Sequence, residues 1–149
     1  MLLFKKKFLE SIRSGEKTQT IRFWDRCRMK PGQRSYIPGI GYISIDDVQA
    51  VELDRLTDAD AVPDGFETAE LLRHELRTIY TEEIAKGFLA YRIRFSVFPP
   101  KEQQRMKEEK RLKKERQIKQ KQSDRKKKEF VESTLEKLHR MAASLENKK

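Results

Sequence analysis

The sequence predicts an α+β fold: a small mixed or antiparallel β-barrel with about two helices at its ends, followed by a long basic helical extension. Several segments alternate between apolar and polar residues, as strands do, and only two segments between them have helical spacing. Turns rich in Pro and Gly separate these segments. After Pro100 the chain contains no Gly or Pro and is dominated by strong helix formers.

The first predicted elements are a helix and a strand joined through a glycine. Phe8, Leu9 and Ile12 give an apolar side to a helix over about residues 6–14. Gly15 follows it directly, and glycine ends helices because it adopts positive φ without steric cost. A strand is then expected over residues 18–23, because its threonines and isoleucine favour extended backbone.

The remaining elements of the barrel follow from turn signals and apolar periodicity. Residues 30–33 read as a type II turn, which leads to a strand over residues 34–37. A long strand over residues 41–53 is expected to bulge near Asp46-Asp47. A short helical turn capped by Thr57, a turn at Pro63-Asp64-Gly65, a helix over residues 68–80 and a strand over residues 87–98 complete the predicted domain.

Charge divides the chain into two parts. Residues 1–98 contain 16 Lys/Arg and 15 Asp/Glu, whereas residues 99–149 contain 18 and nine. We therefore expect a nearly neutral domain over residues 1–98 and a basic extension over residues 99–149, joined at Pro99-Pro100. The excess of positive charge favours nucleic acid or another polyanion as partner.

The stretch from Gly15 to Arg22 is the strongest candidate for a site. Strand alternation predicts that Thr18, Thr20 and Arg22 share one face, with Lys17 at its mouth. Two cations and two hydroxyls beside a tight turn suit an anionic or hydrogen-bonding ligand such as a nucleotide. An aromatic residue such as Trp24 would stack on a base. Alternatively, Arg22 pairs with Asp25 or Asp47, the threonines are ordinary strand residues and Trp24 belongs to the core.

The composition also limits other classes of site. Cys27 is the only cysteine, so an intrachain disulfide is impossible and a cytoplasmic, reducing setting is the simpler expectation. The two histidines, His74 and His139, are far apart in sequence, and we expect no metal site and no cofactor. The apolar runs are too short for a membrane span.

The string Ser-Gly-Glu-Lys-Thr-Gln-Thr-Ile-Arg at residues 14–22 resembles the Gly-x-Lys-x-x-x-x-Arg motif of the ASCH family, a branch of the PUA-like fold. The resemblance covers residues 1 to about 97 and includes the turn at residues 30–33, Leu56-Thr57 and Asp64-Gly65-Phe66. It implies a small β-barrel whose cleft binds RNA or nucleosides. Gly15, Lys17, Thr18, Thr20, Arg22 and Trp24 are the candidate ligand-binding residues.

The resemblance also implies a second activity, because one bacterial branch of the family is an amidohydrolase of acetylated cytidine and some members are ribonucleases. A lysine and a threonine of that branch correspond to Lys17 and Thr20. Its glutamate is replaced here by Asp64, whose side chain is one methylene shorter. A lysine of lowered pKa could act as the base for the threonine hydroxyl. An enzyme and a binding module both stay open at this point, and the alternative for Asp64 is an ordinary turn residue.

The basic extension has two further features. A basic cluster that suits phosphate contacts is formed by Arg125, Lys126, Lys127 and Lys128. Just before this cluster, near residue 123, we expect a helix break, cap or hairpin. Val131, Leu135, Leu138, Ala142 and Leu145 then follow alternating spacings of four and three, which is the pattern of a heptad seam. This seam predicts a protein partner, self-association or packing within the chain, so an adaptor is a third candidate function.

Overall fold

The computed structural model describes the backbone of residues 1–146 and the side chains of residues 1–143. The chain divides into two compact units, Met1–Gln103 and Gln104–Lys149. The sequence predicted that residues 1–98 fold as a domain of their own, and this boundary stays a prediction.

The first unit contains a four-stranded antiparallel sheet that curls into a half-barrel, with short helices around it. Its elements are α1 (Leu9–Ser14), β1 (Gln19–Trp24), β2 (Arg34–Ile37), β3 (Gly41–Val51), α2 (Asp58–Ala61), α3 (Ala69–Ile79), α4 (Thr81–Ala85) and β4 (Leu89–Val97). The strand order is β1-β4-β3-β2. This arrangement confirms the predicted α+β class, and every strand pairing is antiparallel.

Each of these elements forms where the local residues favour it. Gly15 ends α1 at φ +82, and Gly32 takes φ +78 in the predicted turn, where the Gln33 amide donates to the Lys30 carbonyl at 3.2 Å. The register of β3 shifts between Ile45 and Asp47, at the expected bulge. Thr57 caps α2 in a capping box with Asp60, which satisfies two otherwise unpaired backbone donors.

Two apolar cores cover the two faces of the sheet. Successive residues of a strand face opposite sides, so Ile93 and Phe95 of β4 enter one core and Ala90 enters the other. The first core includes Leu2 and Ile12, with Phe4 and Phe8 packed against it. The second core holds Leu72 and Leu76 of α3 beneath Ile21 and Phe23 of β1. The strand β1 therefore lies at the sheet edge, with the N-terminal segment on one side and α3 on the other.

The helix α4 is an element that the sequence pattern did not predict. Tyr80 leaves helical geometry at φ −109 and ψ 32 and so separates α3 from α4. Within this single turn only Ile84 is a large apolar residue, so no periodicity marked it as a helix.

The second unit belongs to one helix, α5, which runs from Pro100 to Glu146. The break or hairpin expected near residue 123 was wrong: the helix continues through Ser123 and Asp124. The Gln120 amide donates to the Asp124 carboxylate at 3.0 Å, so the aspartate bonds along the helix rather than capping a new one. None of the helices within residues 1–146 is both long and apolar enough to cross a bilayer.

Candidate functional site

A cavity of about 130 Å³ lies beside β1, between the N-terminal segment and α3. Its walls are mainly apolar and aromatic, and its polar groups come from the N-terminal segment, from Lys17 and β1, from the turn after α2 and from α3. The lining residues are Leu3, Phe4, Lys5, Phe8, Lys17, Thr20, Ile21, Arg22, Asp64, Phe66, Leu72, Glu75, Leu76, Ile79 and Tyr80.

Lys17 is buried at the entrance to β1, with 2% of its side chain exposed. The turn at Gly15 brings the Lys17 amide back to the Ser11 carbonyl, to which it donates at 2.9 Å. The ammonium lies 4.8 Å from the centre of the Phe8 ring and 5.7 Å from that of Phe4. Aromatic faces attract cations, so these rings partly compensate for the water that the ammonium has lost.

Asp64 contacts Lys17 from the turn after α2. It ends a 3-10 turn (Val62–Asp64), and Gly65 follows at φ +91, a conformation that other residues adopt only with strain. The Lys17 ammonium donates both to the Asp64 carboxylate and to the Asp64 carbonyl. The Thr18 amide donates to the Pro63 carbonyl at 3.0 Å, which fastens the Asp64 turn to the start of β1.

Burial shifts the pKa values of Lys17 and Asp64 towards neutrality. Loss of water lowers the pKa of Lys17; the Asp64 carboxylate opposes this shift and the nearby Arg22 guanidinium adds to it. Loss of water likewise raises the pKa of Asp64, against the opposing effect of Lys17. Burial thus makes Lys17 a weaker base and Asp64 a weaker acid than these groups are in water.

Two buried polar atoms at the cavity have no hydrogen-bond partner among the described residues: Nε of Arg22 and Oδ2 of Asp64. The Arg22 guanidinium carbon lies 4.9 Å from the Phe4 ring centre, and its Nη2 donates to the Leu3 carbonyl at 2.5 Å. Gln19 approaches Asp64, but its amide nitrogen donates to the Asp60 carbonyl at 2.9 Å. A buried donor and a buried acceptor are thus unsatisfied on two residues that line the cavity.

The structure brings Lys17, Thr20, Arg22 and Asp64 together at this cavity and leaves three other candidates outside its lining. Gly15 acts through the backbone turn, and Thr18 is exposed. Trp24 is half-buried against the first core, with its ring centre 5.9 Å from that of Tyr91. The alternative ion pair for Arg22 does not involve Asp25, which pairs with Arg28 at 3.0 Å.

The sequence reading missed the aromatic walls and the mouth of the cavity. Phe4, Phe8, Phe66 and Tyr80 line it, and at its rim Glu75 of α3 pairs with Lys5 at 2.9 Å. The only signal for these residues was the apolar start of the chain and the phenylalanine after Asp64-Gly65. Neither pattern shows that the N-terminal segment folds over β1.

The helix α5 carries the predicted basic cluster on an exposed surface. Arg125 and Lys128 are 82% and 78% exposed, although each pairs along the helix with a glutamate. Val131, Leu135 and Leu138 are exposed too, while the side chain of Leu145 lies outside the described residues. No group of three or more potential metal ligands occurs among the residues that the structure describes.

The curled antiparallel sheet with a cleft beside its edge strand is consistent with the class of PUA-like folds. Within that class, the first unit has an ASCH-like fold, since it resembles the solved ASCH domain from Lactobacillus crispatus JV V101. That likeness has a TM-score of 0.52 at 16% identity and covers 60% of this chain and 69% of that protein.

Two further solved structures share the fold. Hypothetical protein PH0355 matches with a TM-score of 0.56 at 18% identity, over 64% of this chain and 95% of that protein. Protein EF3133 from Enterococcus faecalis V583, of family DUF984, matches with a TM-score of 0.51 at 18% identity, over 61% and 69%. No family model and no curated protein sequence matches the chain.

Proposed function

We propose that the protein binds RNA, with a single base or nucleoside in the cavity beside Lys17 and phosphates along the basic part of α5. The observation that carries this proposal is the pair of unpartnered buried atoms, Arg22 Nε and Asp64 Oδ2, in a cavity walled by aromatic rings. A donor and an acceptor together match the edge of a nucleobase, where donors and acceptors lie side by side.

The size of the cavity supports a small ligand. An engineered protein cavity of about 150 Å³ accommodates benzene, and the volume here is about 130 Å³. A single six-membered ring is therefore a better fit than a purine. Phe4 and Phe8 would contact the face of that ring, as aromatic residues do in proteins that bind single-stranded RNA.

The charge of α5 supports phosphate contacts. Residues 104–128 contain 13 Lys/Arg against four Asp/Glu, and they lie on a continuous helix. Contacts of this kind do not depend on sequence and weaken as salt rises.

The test is equilibrium binding of a panel of nucleosides and short single-stranded RNAs to the full chain. Arg22→Lys keeps the charge but removes Nε, so we expect affinity for the preferred nucleoside to fall about tenfold or more. Arg28→Lys is the matched control, because Arg28 is exposed and bonds to Asp25 away from the cavity lining. Equal affinity in wild type and Arg22→Lys would contradict the proposal.

A second candidate function is hydrolysis of an acylated nucleoside, and the contact between Lys17 and Asp64 favours it. Despite its shorter side chain, Asp64 bonds to Lys17 within the cavity that Thr20 also lines. The lowered pKa of Lys17 increases the fraction of neutral amine, which is the form that accepts a proton.

In this reaction the Thr20 hydroxyl would attack the acyl carbon of the substrate amide while Lys17 takes its proton. Lys17 would return that proton to the departing amine, which leaves the acyl group on Thr20. Water would then hydrolyse this ester to give a carboxylic acid and the free hydroxyl. Overall, one amide and one water become one acid and one amine.

The hydrolase is tested by turnover of acetylated cytidine. Thr20→Val removes the hydroxyl at nearly constant volume, so it should abolish turnover while nucleoside binding persists. Thr18→Val is the matched control, since Thr18 is exposed and outside the cavity. Turnover that survives Thr20→Val would exclude this mechanism and leave the binding module.

A further inference from the structure

The C-terminal part of α5 exposes a row of large apolar side chains. Val131 is 54% exposed, Leu135 49% and Leu138 57%, and Met141 is more exposed still. Such a row on one helix face is unfavourable in water and marks a surface that another chain covers.

The spacing of the row identifies the kind of partner. Val131, Leu135, Leu138 and Ala142 follow steps of four, three and four, which place them at the a and d positions of a heptad. The opposite face of the helix is polar and includes Ser133, Glu136, Lys137 and Arg140. We call Val131, Leu135, Leu138 and Ala142 the seam. This pattern favours a second helix of similar geometry as its occupant.

We propose that the seam pairs with the seam of a second copy of this chain in a parallel coiled coil. In a parallel pair, each g residue lies beside the e residue five positions later in the partner. With Leu135 at a, Lys127 occupies g and Glu132 occupies e. The pairing therefore joins opposite charges twice, once on each side of the seam.

This arrangement connects self-association to polyanion binding. Parallel pairing brings together two copies of residues 104–128, with 13 Lys/Arg against four Asp/Glu in each, and these segments repel one another. A polyanion between them would remove the repulsion, so it should strengthen the dimer, and the dimer should bind it more tightly. This coupling rests on the phosphate contacts of the proposed function, whereas self-association does not.

The first test is sedimentation equilibrium of the full chain over a range of concentrations, at low and high salt, with and without a short RNA duplex. Because salt screens the repulsion, we expect the dimer to strengthen at high salt without RNA, the reverse of the salt dependence of RNA binding. If the chain dimerises without RNA and RNA does not change the dimerisation constant, only the coupling is overturned. A monomer under every condition would overturn the proposal and assign the seam to a different partner.

Seam variants test the surface itself. Leu135→Asp with Leu138→Asp should weaken self-association about a hundredfold or more, since each leucine loses its apolar burial. Ser133→Asp with Lys137→Asp is the matched control on the polar face and should retain the dimer. Lys127→Glu should weaken it, and adding Glu132→Lys should restore it. Equal losses in seam and control variants would overturn the proposal.

Cross-linking tests the orientation. In a Cys27→Ser background, Val131→Cys places a thiol at a d position, where the two copies face each other in a parallel pair. Ser133→Cys places it on the polar face. We expect a disulfide-linked dimer from the first variant and a monomer from the second under mild oxidation. Equal cross-linking of both variants would overturn the parallel arrangement. The absence of cross-linking through residue 131, in a variant that sediments as a dimer, would overturn it as well.

Discussion

At the scale of single residues, the pair of Lys17 and Asp64 defines the site. Both side chains are almost fully buried, at 2% and 5% exposure, and an isolated charge at such a position is far more costly than a paired one. The two residues must therefore be considered as a unit in any substitution.

We predict strong coupling between these two residues in a double-mutant cycle. Lys17→Met leaves the Asp64 carboxyl buried without its partner and should lower the free energy of unfolding by about 3–5 kcal/mol. Lys17→Met combined with Asp64→Leu should recover much of this loss, because neither charge remains. Urea unfolding of the wild type, both single variants and the double variant gives the coupling energy. Additive effects of the two substitutions would show that the pair does not act as a unit.

The same pair predicts how stability depends on pH. The pKa of Lys17 is lower in the folded chain than its ordinary value of 10.5, so between these values the unfolded state holds more protons. The contribution of Lys17 to stability should therefore increase as pH rises through this window. The pKa of Asp64 is raised above 3.8, so its contribution should decrease as pH rises from 3.8 to the folded pKa. When the free energy of unfolding is measured against pH, the variant with both Lys17→Met and Asp64→Leu should lack both trends. If that variant keeps them, the trends belong to other groups.

At the scale of elements, the cavity is closed by segments that are distant in sequence. Lys5 and Lys7 of the N-terminal segment both approach Glu75 of α3, at 2.9 Å and 3.6 Å. The partners are partly exposed, so these ion pairs contribute little stability, on the order of 0–1 kcal/mol. Their position at the mouth of the cavity suits them to hold the N-terminal segment in place.

We predict that Glu75→Gln loosens the N-terminal segment with little effect on global stability. Amide hydrogen exchange over residues 3–8 should become faster, while the midpoint of urea unfolding changes only slightly. Glu70→Gln, on an exposed position of the same helix, is the control and should leave exchange unchanged. Unchanged exchange in Glu75→Gln would mean that apolar contacts alone hold the segment.

The sequence predicted most elements of the fold but only part of the site. Local signals marked the glycine after α1, the bulge in β3 and the cap of α2, because these features depend on neighbouring residues. Strand alternation grouped Thr20 with Arg22 and placed Lys17 at the mouth of their face, but it also included Thr18, which is exposed and outside the cavity lining. The contact of Asp64 with Lys17 and the walls formed by Phe4 and Phe8 depend on how distant segments pack, which periodicity does not reveal.

At the scale of the whole molecule, charge and ligand chemistry are divided between the two units. The first unit holds a cavity that suits one ring, and α5 carries most of the excess positive charge. We therefore expect the cavity to determine which base is preferred, and α5 to determine how strongly salt weakens RNA binding.

We predict a measurable change in salt dependence when the basic cluster is neutralised. Replacing Arg125, Lys126, Lys127 and Lys128 by Gln should reduce the slope of log affinity against log salt by about 3 for single-stranded RNA, if each cation contacts one phosphate. Neutralising four exposed cations of the first unit, Lys6, Arg26, Lys30 and Lys86, is the control and should change the slope less. Polyuridine binding measured over a salt series distinguishes the two, and equal slopes would place the phosphate contacts elsewhere.

The position of β1 at the end of the strand order has a consequence for handling the protein. A strand at the border of a sheet exposes backbone groups that can pair with another chain unless something shields them. The N-terminal segment packs beside β1, where the Leu3 carbonyl accepts from the Arg22 guanidinium, and the Lys5–Glu75 contact helps to hold it there. Warming or high salt that frees this segment should therefore allow β1 strands of different molecules to pair. The resulting aggregation should be visible as turbidity before the sheet itself unfolds, and a ligand bound in the cavity should delay it.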